Sequence, residues 1–385
     1  MDKIVLNGIT WGHSRGVTPL LASAQRFNEL HPHIEVNWKK RTLQEFADFP
    51  IEKLTDQYDF LIIDHPWVGT AAATKCVLPV DEFLPASFLK DQLQNSVGYS
   101  HLSYQYEGKQ WALAIDAATP TASYRADLFS QNNYPVPDTW EDLLELARMG
   151  KVIIPGIPVD LLMNFYMFCI ALGEEPFRTN TAVVSNEIGV EALQHMQQLW
   201  SLCNKKNFDY NPIAVAEIMS SSDEYWYCPF AYCYSNYSRF GYANKAVLYK
   251  DLIRFKQHGR LNSTLGGTGL AISASTKNRD ACFAYAEWIT SANVQKSFYA
   301  EHGGQPGHRA AWTDEKLNTL TNNYFANLLP ALDRAYVRPR YHGYLHFQDK
   351  AGDVVRDYLM NGGDEAKVME SLNAIYSESL AKTMY

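Results

Sequence analysis

The stretch Tyr58-Asp59-Phe60-Leu61-Ile62-Ile63 most constrains what this chain can become. It reads as an almost continuous apolar strand, the pattern of a parallel sheet covered on both faces. The amino-terminal segment agrees. Lys3 to Ile9 is a buried first strand, and the loop Thr10-Trp11-Gly12-His13-Ser14-Arg15-Gly16 follows. Thr18 is a good N-cap, with Pro19 at the first helical position, where a missing N–H costs nothing. Leu20, Leu21, Ala24 and Phe27 line one helical face, and Ile34, Val36 and Trp38 alternate as a second strand. This strand–loop–helix–strand order predicts an open α/β sheet, whose ligands sit beyond the carboxyl ends of its strands. His13 lies at such an end.

Further elements follow by pattern. Tyr104 to Ile115 predicts a hairpin, with Glu107-Gly108-Lys109 as the turn and Trp111, Leu113 and Ile115 on the second arm. Asp138-Thr139-Trp140-Glu141 is a capping-box signature. Val152-Ile153-Ile154 reads as a buried strand. Val159 to Leu172 reads as a helix apolar nearly all round, closed by Gly173 and interrupted by Asp160 and Asn164. Tyr225 to Ser238 is dense in aromatic residues. Gly266, Gly267 and Gly269 permit a sharp turn or a close approach to a ligand, before the short strand Leu270-Ala271-Ile272. A helix is expected after Asp280 and a shorter one capped by Asn293. Gly303-Gly304-Gln305-Pro306-Gly307 then ends that helix and presents Gln305, His308 and Arg309 on a loop. After Trp312 the chain reads as helical to its end.

At 385 residues the chain has length for two domains. A net charge of −8 argues against a general nucleic-acid surface. No apolar run reaches the ~18 residues that span a membrane. No signal peptide precedes Lys3, so either an export signal has been removed or a cytoplasmic location is the alternative. The six cysteines show no metal spacing and read as buried thiols, which leans toward a reducing compartment.

Chemistry finds few footholds. There is no His-Glu-x-x-His and no Gly-x-Ser-x-Gly, and no metal or cofactor is expected. Position 272 is Ile where a dinucleotide loop needs glycine. Asp64 and Asp116 are a candidate glycosidase pair, although hydrogen bonding to sugar hydroxyls is the simpler role for both. Asn236-Tyr237-Ser238 is a formal glycosylation sequon and is taken as chance.

Four segments together resemble the extracellular solute-binding proteins, family 1, the carbohydrate-binding group of ABC transporters related to maltose-binding protein. They are Tyr58 to Gly69 with its Asp64-His65-Pro66 stretch, Trp111 to Leu128, Tyr225 to Ser238, and Gly266 to Trp312. The resemblance covers nearly the whole chain, from Gly8 to about Tyr376. It implies a type II periplasmic binding protein fold, with two α/β lobes, a hinge and a ligand cleft between them. Residues 1–116 and 264–312 would form the N-terminal lobe, and 117–263 with 313–385 the C-terminal lobe. It implies a non-enzymatic protein that captures a sugar, polyol or sugar acid outside the cytoplasm, works as a monomer and delivers to ABC permease subunits. A sugar-active hydrolase and a cytosolic sensor on the same fold are the alternatives. The cleft residues it implies are His13, Asp64, His65, Trp67, Asp116, Tyr232, Tyr234, Asn236, Gly267, Thr268, Gln305, His308 and Arg309. Flat rings suit a pyranose face, and mixed donors and acceptors suit its hydroxyls.

Overall fold

A computed structural model describes residues 3–42, 45 and 50–382. The chain is mixed α/β and divides into two compact units. Unit 1 holds residues 1–118, 265–329 and 340–342; unit 2 holds 119–264, 330–339 and 343–385. The strands are β1 (Ile4–Trp11), β2 (Ile34–Arg41), β3 (Phe60–Ile63), β4 (Gln105–Tyr106), β5 (Lys109–Gln110), β6 (Leu113–Ala118), β7 (Pro120–Tyr124), β8 (Tyr227–Tyr232), β9 (Leu248–Lys250) and β10 (Gly266–Ile272).

Unit 1 is built on a five-stranded sheet in the order β2-β1-β3-β10-β6. β1 pairs in parallel with β2 and β3, while β10 runs antiparallel to both β3 and β6. The four residues of β3 are all buried, as a strand covered on both faces must be. One side of the core gathers Phe27, Phe60 and Tyr285, with Trp38 packed against them. The Trp38 and Phe60 rings stack at 5.8 Å, and the Tyr285 hydroxyl is within hydrogen-bond distance of Ser23 Oγ and Trp38 Nε1. A buried tyrosine hydroxyl thus has the partners that burial demands.

The first helix, Ser14–Leu30, starts four residues before the expected Thr18, and Pro19 lies inside it. His13 replaces Thr18 as the cap: its Nδ1 accepts the Arg15 N–H at 3.0 Å. The expected hairpin is reduced to the two-residue strands β4 and β5, because Leu113 and Ile115 belong to β6 of the main sheet. Gly266 to Gly269 form strand rather than turn. The short helix near Asn293 is instead capped from Ser291 and runs on as a π turn at Gln295–Tyr299.

Residues 313–329, expected in the C-terminal lobe, belong to unit 1. Trp312 is fully buried against Tyr324 and Phe325, and its carbonyl accepts from Asn318 Nδ2, which ties the following helices to it. Residues 340–342 join unit 1 for a similar reason. A side chain at Gly69 would strike the Arg340 carbonyl at 1.9 Å, so glycine admits the close approach. Arg340 donates to the carbonyls of Leu102 and Gln105 at 2.7 and 2.6 Å.

Unit 2 carries a three-stranded antiparallel sheet in the order β8-β7-β9. Its helices include Trp140–Arg148, Pro158–Ala171, Asn186–Trp200, Tyr344–Asn361 and Glu365–Ala381. Pro158–Ala171 is buried along most of its length. Phe168 on it meets Trp140, Phe230 and Phe255 edge to face at 5.3 to 5.9 Å. The capping box lies one residue later than expected, with Thr139 as cap and Asp142 returning the bond. Val152 makes only an isolated bridge to Tyr227, so the predicted strand at 152–154 is extended chain without a ladder.

Candidate ligand site

In unit 1 the proposed residues sit at the ends of β1 and β3 and along β6 and β10. His13 follows β1, as the sheet pattern predicts. Burial first, and Arg15 second, push its imidazole down to about 4. At neutral pH the ring is uncharged. With Nδ1 accepting from Arg15, its proton sits on Nε2, where it can serve as a donor.

Asp64 ends β3 and caps the 3-10 turn His65–Trp67, accepting the His65 N–H at 2.8 Å. Its side chain keeps 21% exposure, so its carboxylate remains within reach of solvent. His65 is wholly buried, with Nδ1 at 3.3 Å from Asp64 and its ring edge-on to Tyr104. Trp67 is buried, and no described residue hydrogen-bonds its indole Nε1.

Asp116 lies in β6 and is enclosed. Arg15 Nε donates to its Oδ2 at 2.9 Å, and Arg15 Nη2 donates to Oδ1. Burial raises this carboxyl; the Arg15 guanidinium and the Gln305 backbone oppose that rise. The arrangement is a closed bidentate pair, with no face left for a scissile bond. On β10, Gly267 has φ +93°, and a Cβ there would meet the Asp116 carbonyl at 2.3 Å. The ladder then slips between Thr268 and Gly269. Such a bulge re-aims a side chain. Thr268 is buried, and its Oγ1 has no partner among the described residues.

Gln305, His308 and Arg309 were expected on an open loop. Instead Gln305 is fully buried, its Nε2 donating to the Ala117 carbonyl at 3.1 Å and its own carbonyl accepting from Ala117 N at 2.8 Å. His308 caps the helix Arg309–Trp312 and lies 3.3 Å from Asp91. Arg309 is half-buried, with Nε on the Ser96 carbonyl at 3.3 Å. The segment is stitched to its neighbours because its polar groups complete the edge of β6.

In unit 2, Tyr232 ends β8 and shares a hydrogen bond of 3.2 Å with Thr264 Oγ1. Tyr234 is buried and edge-on to Tyr237. Asn236 is buried, and no described residue bonds its Oδ1. A buried asparagine is also a poor glycosylation acceptor, which agrees with reading that sequon as chance.

Sequence reasoning missed two features. Arg15 was read as a loop residue, and no local pattern announces its partner 101 positions away. Asp160 and Asn164 were seen, but only as interruptions of an apolar run. Among the described residues no three His, Cys, Asp or Glu cluster as metal ligands would.

The chain is thus two α/β units, with buried polar atoms left open at Trp67, Thr268 and Asn236 among others. The model of bacterial extracellular solute-binding proteins matches residues 22–317, and the chain belongs to that family. Solved structures share the fold. A maltose-bound MalE3 of T. maritima superposes with a TM-score of 0.84 at 19% identity, covering 97% of this chain and 99% of that one. An ABC transporter solute-binding protein of Agrobacterium radiobacter K84, in complex with ribitol, gives 0.82 at 18%, covering 98% and 99%. One from Thermotoga lettingae TMO, bound with α-D-tagatose, gives 0.82 at 17%, covering 98% and 100%.

Proposed function

We propose that this chain is the substrate-binding component of an ABC importer and captures a neutral sugar or polyol outside the cytoplasm, as a monomer and without chemical turnover. The observation that carries this reading is the family match over residues 22–317, with Trp67 Nε1, Thr268 Oγ1 and Asn236 Oδ1 among the buried polar atoms that no described residue satisfies. Buried donors and acceptors are normally paired, so atoms left open at positions where the family resemblance puts the cleft are ones a ligand can satisfy. The ligands named for the related structures, maltose, ribitol and tagatose, are all rich in hydroxyls.

The proposed contacts are His13, Asp64, His65, Trp67, Gly267 and Thr268 from unit 1, and Tyr232, Tyr234 and Asn236 from unit 2. Asp116, Gln305, His308 and Arg309 are assigned a supporting role, since each is committed to a protein partner. With Arg309 so committed, a sugar acid ranks behind a neutral sugar. A hydrolase would need Asp116 as one of its two carboxyls, and its pair with Arg15 argues against that. In the family's mode of action a ligand touching both units favours closure by its differential affinity. Small-angle scattering should then show a smaller radius with ligand than without.

A thermal-shift panel tests the assignment. A ligand at ~100 times its dissociation constant stabilises the native state by ~2.7 kcal/mol, a readily visible shift. Neutral sugars or polyols should give the hits. Hits confined to amino acids or polyamines would refute the assignment.

A further inference from the structure

β7 begins at a proline, and Pro120 stands opposite Tyr232, the last residue of β8. Proline has no N–H, so this end of the ladder lacks a donor. Buried side chains make the ties instead. Cys233 Sγ donates to the Thr119 carbonyl at 3.0 Å, and Ser263 Oγ donates to the Pro120 carbonyl. Thr119 Oγ1 donates to the Thr264 carbonyl at 2.9 Å. Thr119, Ser263 and Thr264 are all fully buried. Thr264 also bridges in parallel to Tyr336, whose N–H donates to the Ser263 carbonyl at 2.7 Å. Thr119 and Thr264 are the first and last residues of the longest segment of unit 2, so both ends of that segment are locked into one cluster.

The backbone at Thr264 is thus held from two sides without help from its own side chain. That leaves its hydroxyl for another task. Thr264 Oγ1 lies 3.2 Å from the Tyr232 hydroxyl and makes no other hydrogen bond among the described residues. Tyr232 itself is only half-buried. A tyrosine tied at its Cα and at its hydroxyl keeps χ1 and its ring axis in place. A ring already in place needs no ordering when a ligand settles on it.

We propose that Thr264 is a positioning residue of the ligand site: its hydroxyl takes up the Tyr232 hydroxyl, so that Tyr232 meets the ligand with the face of its ring and not with its O–H. The anchor is rigid because its backbone belongs to the buried cluster, and the contact is specific because it is a single hydroxyl pair. This inference rests on the reading above that Tyr232 touches a neutral sugar or polyol.

Isothermal titration with maltose, ribitol and tagatose, on the full chain and its variants, tests it. At least one of the three should bind the wild type. Thr264→Val removes the hydroxyl at nearly constant volume and leaves the backbone ties intact. It should weaken that ligand about five-fold, the scale of one hydrogen bond and one ordered side chain. Tyr232→Phe should lose the same factor, and the double variant no more than either alone, because each change removes the same contact. Thr264→Ser keeps the hydroxyl and should restore binding to within about two-fold of the wild type. Losses that add in the double variant would overturn the inference alone, as would Thr264→Val binding as the wild type does. If none of the three sugars binds the wild type, the inference falls together with the sugar reading. A second readout needs no ligand. The Tyr232 ¹³Cζ resonance, identified by its loss in Tyr232→Phe, should shift in Thr264→Val and return in Thr264→Ser. A resonance unmoved by Thr264→Val would also overturn the inference.

Discussion

The pair of Arg15 and Asp116 holds together the part of unit 1 where the loop at Gln305 meets β6. Both side chains are enclosed, so removing one strands the other as a buried charge. Asp116→Ala should cost ~3–5 kcal/mol, as for other broken buried pairs, and chemical denaturation would measure it. The double change Arg15→Met with Asp116→Leu should recover much of that loss, because no lone charge remains. Two histidines give the unit an acid limit. Burial pushes His101 down to about 4, as burial and Arg15 do for His13. In the unfolded chain both titrate near ~6.5. The unfolded state therefore binds more protons between pH 6.5 and 4, and stability falls as pH falls through that window. At ~1.4 kcal/mol per pH unit each histidine accounts for up to ~3 kcal/mol. Melting temperature should drop across this range, and the drop should flatten in His13→Gln and in His101→Gln.

At the scale of elements, pattern carried the reading wherever one face of an element decides its place. The apolar run at β3 and the period of Leu20, Ala24 and Phe27 are local facts about burial, and local sequence expresses them. What the sequence did not express was decided by contacts between distant residues. The start of the first helix is a local exception, set by the His13 ring rather than by the threonine at 18. Leu113 and Ile115 leave their hairpin for the main sheet, because β10, over 150 positions later, offers them a ladder. The same holds for the site. Its loops were legible as loops, but the fates of Asp116, Gln305 and His308 depend on partners no window of sequence contains. Helix Pro158–Ala171 gives a prediction at this scale. Burial pushes the Asp160 carboxyl up to about 8. Its folded value lies above its unfolded one, so folding at pH 7 requires proton uptake, and stability is lost as pH rises from about 4 towards 8. Asp160→Asn removes that cost. It should stabilise the protein by on the order of 3 kcal/mol at pH 7 and by little at pH 4, in urea titrations at the two values.

At the scale of the whole molecule, the chain is a family member whose two units each keep polar atoms unsatisfied in otherwise packed surroundings. Trp67 and Thr268 are among these in unit 1, and Asn236, Asp160 and Asn164 among those in unit 2. Asp116 is held by two nitrogens of Arg15 rather than set free as a reacting acid. A carrier needs only complementary donors, acceptors and flat faces, which these residues can supply. The account's central claim is reversible capture of a neutral sugar or polyol without turnover. The direct test is to saturate the protein with its best neutral ligand from the thermal-shift panel, hold the complex for hours, denature it and identify the released ligand by mass spectrometry. The account predicts one equivalent per chain, recovered chemically unchanged. Recovery of a cleaved product, formed in excess over protein and lost in Asp64→Asn, would contradict it.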